Sequence, residues 1–245
     1  MKYEIQKGHA FALADVTMDA GEELTAVAGA MASMSPGLAV HTKSNGGLVK
    51  GLKRKVVGGE TFFMNTFTAT EPSEIALAPP MPGDIVHRQM DGRELHLTSG
   101  AFLASSTSVE IDTKWKGAKT FFTAEGLFML KLTGRGDLFM CAYGAIKQLT
   151  LGKGEVHNVD SGHLVAFESP MGYKIRKFGG WKSTVVGGEG FVIELTGPGD
   201  VWMQTRSPNA FGHWLLPLLP SQKAEGVGEA VGVAAAADLV GALIR

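Results

Sequence analysis

The chain is expected to fold as an all-β protein made of one unit written three times, and three features point to this. Glycine accounts for 33 of 245 residues, about twice the usual roughly 7%, beside plentiful Thr, Val and Phe, a mix that suits short strands and tight turns. A phrase reading Gly/Ala-Glu, apolar run, Gly-x-Gly-Asp, apolar run occurs around Glu125 and Glu189. An earlier copy begins at Glu60, so the steps are 65 and 64 residues. A second phrase, a glycine turn leading into an apolar run, centres on Gly29, Gly100 and Gly162 at steps of 71 and 62 residues. Two independent phrases of nearly one period define an internal triplication.

Taken in order, Met1-Lys2-Tyr3-Glu4-Ile5-Gln6 alternates like a strand. Residues 21–34 run from a turn into a strand with a mid-strand glycine, and residues 92–104 and 154–167 do the same. The Glu60 copy of the first phrase runs to Thr68 and takes an insertion over residues 69–81. It resumes at Pro82-Gly83-Asp84-Ile85-Val86. The third copy, residues 188–205, reads as a β-hairpin closed by Gly197-Pro198-Gly199-Asp200, since Gly supplies positive φ and Pro a fixed φ. The strand after each Gly-Asp turn is expected to pass into the next unit. Leu127-Phe128-Met129-Leu130 is apolar throughout, which implies burial on both faces.

No segment before residue 220 shows a helical period. Residues 204–217 are aromatic and apolar without alternation and are expected to cover a core or a sheet edge. In the Gly/Ala/Val-rich stretch 226–245, Val233, Ala237, Val240 and Ile244 line one face of a marginal, docked helix. The expected division is a first β unit at 1–82, a second at 83–135, a third with a closing strand at 136–220, and an extension at 221–245.

Composition narrows function. The net charge of −1 gives no global field to attract nucleic acid. A single cysteine, Cys141, excludes an internal disulfide and fits a reducing compartment. The first residues have neither a signal-peptide core nor an Arg-rich transit helix, and the apolar run 231–237 is far shorter than a membrane span. The expected location is cytoplasmic.

Gly29 to Ser35 (Gly-x-hydrophobic-x-Met-Ser), Gly58-Gly59-Glu60-Thr61-Phe62, Gly197-Pro198-Gly199-Asp200-Val201 and Gln204-Thr205-Arg206-Ser207 carry a family likeness. In order and content they resemble the altered inheritance of mitochondria protein twenty-four (AIM24, mitochondrial biogenesis) family over roughly residues 1–220. The resemblance implies three TRAP-like units, a short double-stranded β-helix variant, around a pseudo-threefold axis. Fungal relatives are linked to organisation of the mitochondrial inner membrane. The RNA and tryptophan sites of the attenuation protein that names the fold match no residues here, and fold alone is analogy for function.

The candidate chemistry is sparse. His157, Asp160 and His163 stand at i, i+3, i+6. On a strand the two histidines share a face and the aspartate takes the other, so no metal site is expected. Cys141 lies in an apolar run with no basic neighbour to lower its pKa. Nucleophile-elbow, Walker and dinucleotide motifs are absent from the sequence. Neither cofactor nor enzymatic activity is expected. Glu23, Glu94 and Glu155, and likewise Glu60, Glu125 and Glu189, form threefold sets suited to an acidic ring or to capping N–H groups in their own turns.

The three connections between the phrases are all basic in a slightly acidic chain. Lys53, Arg54, Lys55, Lys116, Lys119, Lys177 and Lys182, with Trp115 and Trp181, are the candidate residues for an anionic partner. Lys and Arg suit phospholipid headgroups and Trp suits the interface; three independent solvated loops are the alternative. The expectation is a non-enzymatic scaffold or binding protein, a homo-oligomer, peripheral to an anionic membrane or bound to a protein partner. A small-molecule-binding protein with an inter-unit cleft is the alternative, and RNA binding is a weaker one.

Overall fold

Strand-forming residues separated by turn residues give the architecture seen in a computed structural model. It describes residues 1–6, 11–44, 63–113, 128–177 and 191–219, with the side chains of residues 42–44 and of Lys177 outside that description. The first stretch holds β1 (Lys2–Gln6), β2 (Leu13–Met18), β3 (Glu23–Val27), β4 (Met31–Met34), β5 (Leu38–Ser44), β6 (Phe63–Ala69) and β7 (Ser73–Leu77). β2 pairs with β1 and β7, β4 with β7, and β6 with β3 and β5, all antiparallel. In β2, Ala14, Val16 and Met18 are buried while Asp15 and Thr17 turn outward, the period of two expected of a half-covered sheet.

The second stretch holds β8 (Ile85–Asp91), β9 (Leu95–Thr98), β10 (Phe102–Ser106), β11 (Val109–Asp112) and the long β12 (Met129–Cys141). β12 pairs with β9 and β11 through its first half and with β8 and β10 through its second. The third stretch holds β13 (Ile146–Leu151), β14 (Val156–Asp160), β15 (Leu164–Glu168), β16 (Gly172–Lys177), β17 (Phe191–Thr196) and β18 (Gly199–Gln204). β17 pairs with β14 and β16, and β18 with β13 and β15. The stretches are joined by two further antiparallel pairings, β3 with β10 and β9 with β15. The result is a four-stranded sheet β1-β2-β7-β4, a three-stranded sheet β14-β17-β16, and an eleven-stranded network between them.

Three apolar clusters fill this framework. The first gathers Val16, Leu24, Phe67, Ile75 and Leu77 and also takes Leu103 from β10. The second gathers Leu95, Phe102, Leu132 and Leu138 and takes Val165 from β15. The third is built from Met129, Leu151, Phe167, Ile193 and Val201. β10 and β15 are buried at every position, because each serves a core on both faces. Phe128, Met129 and Leu130 are buried as the unbroken apolar run implied.

Several sequence expectations are corrected. Within the hairpin expected at 188–205, the described strands β17 and β18 do not pair with one another: they pair with different strands in different sheets. Gly-x-Gly-Asp makes a corner at which the chain leaves one sheet for another. Gly199 has φ 147°, and so does Gly136 at the matching place in β12, a conformation essentially confined to glycine. β12 therefore runs through the expected boundary at 135/136 without ending. Residues 69–81 are not an insertion, since they contain β7, which returns along β2 from a turn at Thr70-Glu71-Pro72. The strands that stitch the stretches together are β10 and β15, not those following the Gly-Asp corners. Gly29, Gly100 and Gly162 lie in turns between strands rather than within them. Finally, α1 (Pro208–Leu215) is a helix before residue 220, with the Ser207 hydroxyl accepting from Ala210 N and Pro at the first turn.

Candidate interaction surface

Each basic connection joins two strands that pair with one another. Residues 45–62 link β5 to β6, closed by Ser44 opposite Phe63. The second connection links β11 to β12, with Asp112 opposite Lys131, and the third links β16 to β17, with Lys177 opposite Phe191. Each basic segment is thus held at both ends by an antiparallel ladder. Lys53, Arg54, Lys55, Trp115, Lys116, Lys119, Trp181 and Lys182 lie outside the described residues, and Lys177 is placed only by its backbone. The basic side chains on the paired strands themselves have acidic neighbours. Lys131 Nζ lies 2.7 Å from Glu94 Oε2, a hydrogen bond that raises the lysine pKa. Arg176 Nη2 lies 2.8 Å from Glu194 Oε2 and Lys174 Nζ 3.8 Å from Glu194 Oε1.

The most buried charge cluster lies between the second and third stretches. Arg88 on β8 pairs with Glu168 on β15 and its guanidinium carbon sits 4.8 Å above the Trp202 ring. Glu168 also receives Arg93 Nη1 at 3.3 Å and accepts from Asp200 N at 3.1 Å. The cluster ties β8 to β15 and β18 across the eleven-stranded network. Its members are too far apart in sequence to be found by motif.

A second polar chain runs through Tyr3, His87, Asp137 and Ser106. The Tyr3 ring stacks on His87 at 4.1 Å and its hydroxyl lies 2.9 Å from His87 Nδ1. His87 Nε2 lies 2.8 Å from Asp137 Oδ1, and Ser106 Oγ accepts from Asp137 N at 2.9 Å. The serine meets the aspartate and not the histidine, so this arrangement does not activate a nucleophile in the Ser-His-Asp manner. It braces the Gly136 corner.

The remaining candidates separate. His157 lies on β14, Asp160 accepts from Gly162 N at 2.9 Å, and His163 Nδ1 lies 2.8 Å from the Gln204 carbonyl. Among the described residues these side chains do not converge as a metal-ligating group. Cys141 is 2% exposed, and burial pushes its thiol up to about 12, well away from nucleophile chemistry. The glutamate sets divide. Glu155 accepts from Gly152 N at 2.8 Å in its own turn, as does Glu22 from Asp19 N. Glu23 instead accepts from Thr68 Oγ1 at 3.1 Å, and Glu94 faces Lys131 and His96. Glu60, Glu125 and Glu189 are outside the described residues.

Two concavities bear on the small-molecule alternative. The larger, about 610 Å³, is an open cleft over the outer face of the β1-β2-β7-β4 sheet, lined by Tyr3, Asp15, Ser33 and Glu74 among others. It belongs to one sheet rather than lying between units. The one between stretches, bounded by Met81, Gly100, Cys141, Tyr143 and Gln204, is about 40 Å³, far below the roughly 300 Å³ at which ligand pockets begin. Residues 204–217, expected to cover a core or a sheet edge, instead leave an apolar surface exposed on α1 and the turn after it. Trp214 is 63% and Leu218 65% exposed, with Phe211 stacked on Trp214 at 5.8 Å and edge-on to Tyr143 at 5.7 Å. Ser207-Pro208 was its sequence signal. Among the described residues no helix is long and apolar enough to cross a membrane.

The family model described as mitochondrial biogenesis AIM24 matches residues 3–206. An uncharacterised protein of Streptococcus pyogenes serotype M6 is 28% identical over 229 residues, covering 90% of this chain and 92% of its own. The crystal structure of another Streptococcus pyogenes protein superposes with a TM-score of 0.74 at 27% identity, covering 89% of this chain and 99% of that one.

Proposed function

The chain belongs to the AIM24 mitochondrial biogenesis family, and on that footing we propose that it is a non-enzymatic binding scaffold. In this reading, three fused copies of one β unit hold basic segments against an anionic surface, a phospholipid membrane foremost. The observation that carries it is the closure of all three basic segments by paired strands at Ser44/Phe63, Asp112/Lys131 and Lys177/Phe191. Loops borne on a rigid β framework are the usual way a fold presents binding residues.

The unit is proposed to recur because the same partners recur. β7 lies between β2 and β4, the second half of β12 between β8 and β10, and β18 between β13 and β15. The outward turns match too: Gly21, Gly92 and Gly154 have φ of 86°, 102° and 78° ahead of β3, β9 and β14. At each corner a side chain accepts a backbone N–H: Ser35 from Glu74, Ser106 from Asp137 and Glu168 from Asp200. These recurrences support the TRAP-like, pseudo-threefold plan that the family resemblance implies.

For the membrane, each Lys or Arg near an anionic leaflet contributes about 1 kcal/mol, and exposed Trp214 and Leu218 add an apolar surface suited to the headgroup boundary. Changing Lys53, Arg54 and Lys55 together to Glu should reduce co-sedimentation with anionic vesicles several-fold at unchanged melting temperature. Retained binding by a folded triple variant removes the first segment from the account.

A further inference from the structure

Among the described residues α1 is a helix without a core of its own. None of its eight residues is buried. Yet Phe211, Trp214, Leu215 and Leu218 stand at i, i+3, i+4 and i+7, the spacing of one apolar stripe. Along it Phe211 is 36%, Trp214 63% and Leu218 65% exposed. A helix this short is marginal in water alone, and in proteins it is held by packing of its apolar face. Ser207 caps α1 and Phe211 meets Tyr143 edge-on, but the rest of the stripe is bare. Nor is this segment built for solvent: no Asp, Glu, Lys or Arg stands between Arg206 and Lys223.

The stripe ends where the chain goes on. The backbone leaves the 3₁₀ turn Leu216–Leu218 extended at Leu219, and residues 220–245 follow, outside the described residues. Residues 220–227 contain Pro220, Ser221 and Gly226, turn formers in a connection of the length that lets one helix reverse onto another. Beyond them Val233, Ala237, Val240 and Ile244 share one helical face, and residues 230–237 carry no charge and are mostly alanine. Small side chains on one helix let the large ones of another sink between them, which suits the rings of Phe211 and Trp214. Both segments also lie beyond residues 3–206, the part that the family model matches.

We propose that residues 228–245 fold back over α1 of the same chain and lay Val233, Ala237, Val240 and Ile244 on Phe211, Trp214 and Leu218. The tail then supplies the packing that α1 lacks, and α1 supplies the surface on which a glycine-containing, marginal helix becomes stable. The covered face is the one offered to a bilayer above, so the tail occupies it in solution and yields it to a membrane. The inference stands on α1 and the tail alone, and its test is made without lipid.

The test places a nitroxide on the tail and reads the indole N–H signal of Trp214 by NMR, identified by its loss in Trp214→Phe. Ala235→Cys puts the label on the side of the tail away from the proposed contact, and buried Cys141 is not a competing site for it. In labelled chain diluted into an excess of unmodified chain, the Trp214 signal should lose most of its intensity and recover when the nitroxide is reduced. Adding Val233→Asp/Val240→Asp to the labelled chain should restore the signal without reduction. A Trp214 signal that stays sharp overturns the proposal, as does broadening that survives the double substitution. So does broadening seen only when the nitroxide and the observed Trp214 are on different chains, which would make the occupant another copy's tail.

Discussion

Arg88 and Glu168 form an ion pair across 80 positions of sequence, joining β8 to β15 with only 15% and 8% of their side chains exposed. A buried pair is of uncertain net benefit, but removing one partner strands the other charge and typically costs about 3–5 kcal/mol. Glu168 also holds the Asp200 N–H at the Gly199 corner. Changing Glu168 to Ala should therefore cost more than changing Arg93 to Ala, whose guanidinium is 60% exposed. Denaturant midpoints of Glu168→Ala, Arg88→Met and the double variant check this. The double variant should be more stable than the sum of the single losses implies, and strict additivity would mean that the two side chains do not interact.

Glycines at the corners and turns should rank by what a methyl group meets. At Gly154, φ is 78° and the space is open, so Gly154→Ala should cost only backbone strain, about 1–2 kcal/mol. At Gly136, φ is 147° and an added Cβ would lie 2.8 Å from Ser106 Cβ and from Ser108 Oγ. Gly136→Ala should be the more damaging, by thermal or urea melting. Equal losses would mean that the corner relaxes and that Gly136 is not what turns β12 between sheets.

His96 is 5% exposed and packs 4.8 Å from the Phe167 ring. Burial lowers its pKa from the ordinary value, with neighbouring Glu94 opposing and Lys131 reinforcing the shift. The unfolded chain then binds a proton more readily than the folded one. Stability is full above the unfolded value of about 6.5 and falls as pH drops from there towards the lower folded pKa. Measured between pH 7 and 5, the stability of His96→Gln should fall less steeply than that of the unmodified chain. Identical slopes would show that other groups govern the acid side.

How much of this was legible follows from the range over which each signal acts. Alternation and turn residues are local, so β1, β3 and the apolar run at Phe128 could be read directly. A tight turn and a corner use the same glycines, however, and only the partners of β17 and β18 distinguish them. β7 escaped because Ser73-Glu74-Ile75-Ala76-Leu77 follows a Thr-Glu-Pro turn and lacks the Gly-Asp that opens β18 and the second half of β12. The Arg88–Glu168 joint had no local signature, since its two members stand 80 positions apart. The basic segments were conspicuous by charge alone, and the ladders closing them add where they are anchored.

The most direct measurement is partition of the unmodified protein between buffer and vesicles, with anionic lipid or neutral lipid only, at low and physiological salt. The account predicts binding to anionic vesicles that weakens as the Debye length falls to about 8 Å at physiological salt. It also predicts a smaller, salt-insensitive component reduced by Trp214→Ala. Equal and negligible sedimentation with anionic and neutral vesicles at low salt would contradict it.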